Sequence, residues 1–268
     1  MQLSLRRRIT GALPQPVRYG LRRIIYRGHA LTCPLCEAQV STYISHGADF
    51  EVLYRRKVVG GMIREHDQCP ACRSADRTRL MMLYLKNVSG VGVKPLRILH
   101  IAPDFGLYLW FKRHRNVDYV ASDLDLARYR HIENIQKADI TAMPFKDNDF
   151  DIVICSHVLE HIPDDRKAMS EILRVLKPSG KAMLMVPLAT DGQGTEEDPS
   201  INDPREQEQR FGQWDHVRLY GKDDFISRLS GAGFTVKPFN GYDLFPEEAK
   251  DLLLNPQETL VVCEKSNA

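Results

Sequence analysis

Residues 150–187 read FDIVICSHVLEHIPDDRKAMSEILRVLKPSGKAMLMVP, and this stretch decides the fold. Asp151–Cys155 is an apolar run of the length expected for a buried parallel strand, and Lys181–Pro187 is another. Between them Asp164 and Asp165 favour a helix N-terminus. Met169, Ile172, Leu173 and Leu176 share one helical stripe, and Pro178-Ser179-Gly180 stops the helix. Working outward, Leu96–Ile101 is short and apolar, and Tyr119–Ser122 ends on Asp123. Downstream, a helix over 222–231 runs into Gly231-Ala232-Gly233, with strands near Phe234–Pro238 and Thr259–Glu264. This alternation predicts an α/β fold: a doubly wound, mostly parallel sheet with a ligand crevice at the carboxyl ends of its strands.

The 268 residues can bury a core without disulfides, and no apolar run reaches the ~18–20 residues of a membrane-spanning helix. The net charge of +2 hides an asymmetry: residues 1–30 hold seven arginines and no acid, leaving the remainder at 2 − 7 = −5. A chain-wide basic surface for nucleic acid is therefore excluded. Three zones follow: a basic N-terminal arm or helix over 1–30, a Cys-pair module with a linking helix over 31–94, and the α/β domain over 95–268. In the arm, Val17, Leu21, Ile24 and Ile25 fall on one helical face and Arg18, Arg22, Arg23 and Arg27 elsewhere. Either the arm touches a membrane surface or its apolar face docks on the module. Docking is the preferred reading, because only four apolar positions support insertion. The opening residues lack the apolar core of a signal peptide, and the cysteine usage fits a reducing cytoplasm.

The module contains Cys33-Pro-Leu-Cys36 and Cys69-Pro-Ala-Cys72. Two thiolates on one tight turn can share a tetrahedral ion with a second such turn, so these four cysteines are expected to hold one structural zinc ion in a zinc-ribbon-like unit. The 32-residue gap between the pairs is longer than usual, and Glu37 and Arg73 stand where glycine is common. Reduced thiols or a redox dithiol are the alternatives. Cys155 and Cys263 lie in apolar strands and are expected to be core residues.

Four elements mark a cofactor crevice. The strand Leu96–Ile101, with His100 near its end, is followed by Ala102-Pro103-Asp104-Phe105-Gly106 and an aromatic-rich helical run. Asp123, followed by Leu124, lies 17 residues after Gly106 and can accept ribose hydroxyls from a strand tip. Asp139-Ile140 offers an acid to an adenine amine, and Ser156-His157 follows the strand Asp151–Cys155.

In this order and spacing the elements resemble a class I S-adenosylmethionine-dependent methyltransferase of the group labelled type 11. The resemblance covers about Leu96 to Val262. The chain also resembles a subgroup in which a Cys-Pro-x-Cys pair module precedes the methyltransferase, matched by His100-Ile101-Ala102-Pro103 and by Asp215–Arg218. The resemblance implies a Rossmann-like seven-stranded sheet and S-adenosyl-L-methionine as cofactor. It assigns cofactor contacts to His100, Ala102, Asp104, Gly106, Asp123, Leu124, Asp139, Ile140, Ser156 and His157. It also implies a small-molecule or sugar/glycan-precursor acceptor. The chain departs from the wider family in three places: His100 replaces an acid, and Ala102 and Asp104 replace glycines.

Methyl transfer from a sulfonium needs contact and dryness, and a base only for a weakly acidic acceptor. His157, His161 and His216 are the candidate bases. His216 and Arg218 are expected to face the acceptor, with Arg218 able to hold a carboxylate or phosphate. The polar stretch Asp191–Gln209 is expected to be a mobile lid or disordered. Two other readings stay open: an RNA methyltransferase gripping nucleic acid through module and arm, and a binding module without catalysis. Cofactor titration and salt-dependent RNA binding separate them.

Overall fold

The computed structural model describes residues 15–265. Seven strands form one sheet: β1 Leu96–Ile101, β2 Val117–Asp123, β3 Gln136–Lys137, β4 Phe150–Ser156, β5 Leu176–Met185, β6 Phe234–Phe239 and β7 Leu260–Lys265. Their spatial order is β6-β7-β5-β4-β1-β2-β3. β3, β2, β1, β4 and β5 run parallel, while β7 is antiparallel to both neighbours. The order reverses between β1 and β4, so the crevice expected of a doubly wound sheet opens there.

Period-two alternation divides the core. Ile152 and Ile154 on β4 face one layer, while Val153 and Cys155 face the other, all 3% exposed or less. The second layer holds helices α3 (Asp165–Val175) and α5 (Lys222–Gly231), through Met169, Ile172, Phe225 and Leu229. Asp164 caps α3 as expected, but the helix ends at Val175 and Leu176 already pairs with Phe150. The strand therefore begins before Pro178-Ser179-Gly180, which forms an irregularity inside β5 rather than the helix stop.

The first layer corrects the domain picture. It consists of α1 (Asp76–Asn87), α2 (Phe105–Phe111) and the Cys module, and Leu35, Cys33, Cys69 and Cys72 share one apolar cluster with Ile98, Ile152 and Val262. The boundary expected near residue 94 does not divide this core. Two further contacts stitch the zones together. Val58–Val59 pairs with Leu188–Ala189, and buried Arg79 on α1 donates to Asp67 O, Ser74 O and Leu252 O.

The loop and the N-terminal helix also differ from expectation. Asp191–Gln209 is folded, with a short strand Glu196–Glu197 and helix α4 (Pro204–Phe211). Its acids are consumed by cations: Arg56 binds Asp191 at 2.6 Å, Arg210 binds Glu196 and Asp198, and Arg218 and Arg228 bind Glu197. The N-terminal helix Gln15–Ile25 is formed, and of its apolar residues Leu21 is half-buried while Ile24, 73% exposed, and Ile25, 37% exposed, are not docked. Arg6, Arg7 and Arg8 lie outside the described residues.

Candidate active site and cysteine cluster

The crevice between β1 and β4 is flanked by two backbone outliers. Ala102 follows β1 with φ +49°, and His157 follows β4 with φ +55°. A non-glycine residue in the left-handed region costs roughly 1–2 kcal/mol, a strain that clusters at ligand sites. Beside them Ser156 Oγ and His157 Nε2 are buried without a hydrogen-bond partner. A buried polar atom left unsatisfied is costly, so this edge is built to meet polar atoms that the chain itself does not supply.

The two expected acids stand beyond. Asp123 ends β2 and takes the Asp125 N–H on Oδ1 at 2.7 Å. Asp139 is exposed; its Oδ1 accepts from Thr141 N and Oγ1, both at 2.8 Å, which holds its carboxyl below the usual range. Leu124 is 60% exposed and Ile140 5%, so one apolar side chain is free to cover a ring and the other supports the loop.

The first loop is used differently from expectation. His100 is fully buried and neutral, its pKa pushed down to about 3 by burial. Its Nε2 accepts the Asp104 N–H at 3.4 Å, which leaves its proton on Nδ1 facing Tyr119 Oη at 2.9 Å. His100 thus braces the loop from beneath and does not reach the crevice. Asp104 turns toward α1, accepting from Thr78 Oγ1 at 3.4 Å with Arg73 and Arg77 nearby. Gly106 packs against the cysteine cluster: a Cβ there would lie 3.0 Å from Ser74 Cβ and 3.1 Å from Cys72 Sγ. We expect Gly106→Ala to destabilise the fold by about 1–2 kcal/mol, overpacking outweighing the helix-propensity gain of about 1 kcal/mol. Denaturant midpoints check this. Cofactor affinity per folded molecule should change little, and a selective loss of affinity would return Gly106 to the cofactor.

The four module cysteines converge as expected. Cys33 Sγ lies 3.7 Å from Cys72 Sγ and Cys36 Sγ 3.9 Å from Cys69 Sγ, and all four sulfurs fall within 4.8 Å of one another. Metal–sulfur bonds of about 2.3 Å give tetrahedral edges near ~3.8 Å, so the cluster fits zinc. The knuckles are alike. Glu37 and Arg73 adopt φ +60° and +66° and return their N–H groups to Cys33 O and Cys69 O. The left-handed residue common at these turns is present without glycine, at the expense of strain.

Past His157, a short 3₁₀ turn Leu159–His161 and the loop at 213–217 bring Glu160, His161 and His216 together. His157 Nδ1 lies 3.5 Å from Glu160 Oε1, and burial with nearby Arg77 and His46 keeps His157 well below its ordinary pKa. His161 Nδ1 donates to Asp215 O at 3.1 Å, and burial lowers His216 to about 4. Arg218 does not face an acceptor. It is 1% exposed and donates to Leu159 O, Ile162 O, Pro163 O and Glu197. The residues that sequence reasoning missed come from the module. His46, Gly60, Arg64, Asp76 and Arg77 line a pocket with Glu258, and Gly60 separates Glu258 from His157.

Residues 100–184 match a family described as "Methyltransferase domain". Over 94 residues the chain is 37% identical to uncharacterized protein MJ0638 of Methanocaldococcus jannaschii, covering 35% of this chain and 41% of that one. Over 104 residues it is 36% identical to the demethylmenaquinone methyltransferase of Renibacterium salmoninarum, covering 36% and 44%. The chain thus spans less than half the length of these relatives. The solved structure of YcgJ from Bacillus subtilis aligns with 70% of this chain and 97% of its own at 17% identity, with a TM-score of 0.44. The matched segment runs from the end of β1 through β2, β3 and β4 into β5, and so includes the crevice between β1 and β4.

Proposed function

We propose that the chain transfers a methyl group from S-adenosylmethionine to a small polar acceptor. The observation that carries this reading is the pair of unpartnered buried atoms, Ser156 Oγ and His157 Nε2, at the switch point of a methyltransferase sheet whose next strand tips bear Asp123 and Asp139. The cofactor supplies an electrophilic methyl on a sulfonium leaving group. Asp123 binds the ribose, Asp139 the adenine amine, and Leu124 covers the ring. His157, neutral at physiological pH, accepts a proton where the acceptor is a hydroxyl.

The acceptor pocket is the one roofed by the module. Its lining includes His46, Arg64, Asp67, Asp76, Arg77 and Glu258 and no Phe, Tyr or Trp. Related chains include a demethylmenaquinone methyltransferase and the sterol 4-C-methyltransferase of Caenorhabditis elegans, whose names describe small acceptors. The lining here mixes its charged groups with Val58, Val59, Met62 and Ile63, and its charges favour an acceptor with hydroxyl groups, such as a sugar or glycan precursor. The four cysteines hold zinc in a closed structural site, because four thiolates leave no open position.

Replacing Asp123 with Ala should weaken S-adenosylhomocysteine binding by roughly 1.5–3 kcal/mol, the range for a hydrogen bond to a charged group. Calorimetry checks this, and unchanged affinity would remove Asp123 from the site.

A further inference from the structure

We infer that Glu160, His161 and His216 form a second metal site, one for a divalent transition cation such as zinc, separate from the cysteine cluster. Each residue offers a ligand atom within 4.8 Å of the others. Glu160 is 1% exposed, and neither of its carboxylate oxygens has a hydrogen-bond partner. An isolated carboxylate in such a place is costly unless a cation or proton meets it. The two imidazoles stand nearly perpendicular with centroids 4.6 Å apart, and His216 Nε2 is 4.0 Å from Glu160 Oε1. His161 donates Nδ1–H to Asp215 O and so keeps its Nε2 lone pair, and Asp215 is itself held by Gln213 at 2.8 Å. A ligating histidine is fixed in this way through its other nitrogen.

The backbone holds the ligands in place. Val217 N–H donates to Glu160 O at 3.0 Å, and Arg218 grips the carbonyls of Leu159 and Ile162 on either side of Glu160 and His161. The His161 and Asp215 side chains are about a quarter exposed, at 26% and 24%, which gives an entry path. One carboxylate and two imidazoles suit zinc, iron(II) or manganese(II) more than calcium or magnesium. Three ligands leave a position open, in contrast to the four thiolates. The site adjoins His157 on the acceptor side of β4, but binding of the cation does not depend on the methyl-transfer reading.

The test is cobalt(II) titration of the full reduced chain, followed by visible absorption. The first equivalent should enter the thiolate cluster and produce sulfur-to-cobalt charge-transfer bands. A second should add only weaker ligand-field bands. Glu160→Gln and His216→Ala should each abolish the second equivalent and spare the first. Excess zinc should also raise the melting temperature of the wild type beyond its one-zinc value, and not that of Glu160→Gln. A wild type that binds one equivalent only, or a second equivalent that survives both substitutions, overturns the site. The first result would leave Glu160 as a protonated acid.

Discussion

Stripping the zinc proposed for the cysteine cluster, or replacing Cys72 with Ser, is expected to unfold the entire chain in one transition. Cys33, Cys69 and Cys72 lie in the same apolar cluster as Ile98, Ile152, Met183 and Val262, so the module is one layer of the sheet's core. Gly106 on α2 abuts Cys72, and Arg79 ties Asp67 and Ser74 beside the second knuckle to Leu252. Structural zinc is worth about 10–16 kcal/mol in small zinc-dependent peptides, while a domain's whole stability is about 5–15 kcal/mol. Even a fraction of the first exhausts the second. The two tryptophans report on different places: Trp110 is in the shared core, 6% exposed, and Trp214 is on the distant loop, 57% exposed. Thermal melts with and without chelator under reducing conditions, read by fluorescence and far-ultraviolet circular dichroism, should move together. A two-step melt in which the sheet outlives the module would show that β1–β7 stand alone.

Part of this was legible in the sequence for physical reasons. β4 and β5 are covered on both faces, so their residues form continuous apolar runs, and both Cys pairs carry their geometry in four residues. The place of Asp123 at the end of β2 was legible because the apolar run before it marks where the strand ends. What escaped depends on partners far away in the chain. The acids of 191–209 look like a solvated loop until Arg56, 135 residues from Asp191, is placed beside them. Gly106 reads as a cofactor glycine until Ser74 and Cys72 are seen against it. His46, Arg77 and Glu258 meet at one pocket beside Val58 and Val59, which pair with Leu188–Ala189 far along the chain. No local pattern encodes that pairing.

Arg218 is the sharpest such case, and its replacement by Ala is expected to cost about 3 kcal/mol of stability. Removing one partner of a buried ion pair costs about 3–5 kcal/mol, and the lower end applies because Arg228 still meets Asp165 at 2.9 Å and Glu197 at 2.8 Å. What would be lost is the donor set for Leu159 O, Ile162 O and Pro163 O, together with the stem that fills their surroundings. Arg228 and then Arg218 hold the Glu197 carboxyl down to about 2. A depressed carboxylate stabilises the fold above its unfolded pKa of about 4.3, and that contribution fades as pH falls toward 2. Arg218→Ala should therefore also flatten the loss of stability between those two pH values, though not abolish it while Arg228 remains. Urea denaturation at neutral and acid pH measures both effects. Because the bonded carbonyls flank Glu160 and His161, turnover should fall along with stability, while cofactor affinity per folded molecule holds, since Asp123 and Asp139 lie on other strands. Unchanged stability with lost turnover would mean that the guanidinium leaves this network to meet the acceptor and is not a structural brace.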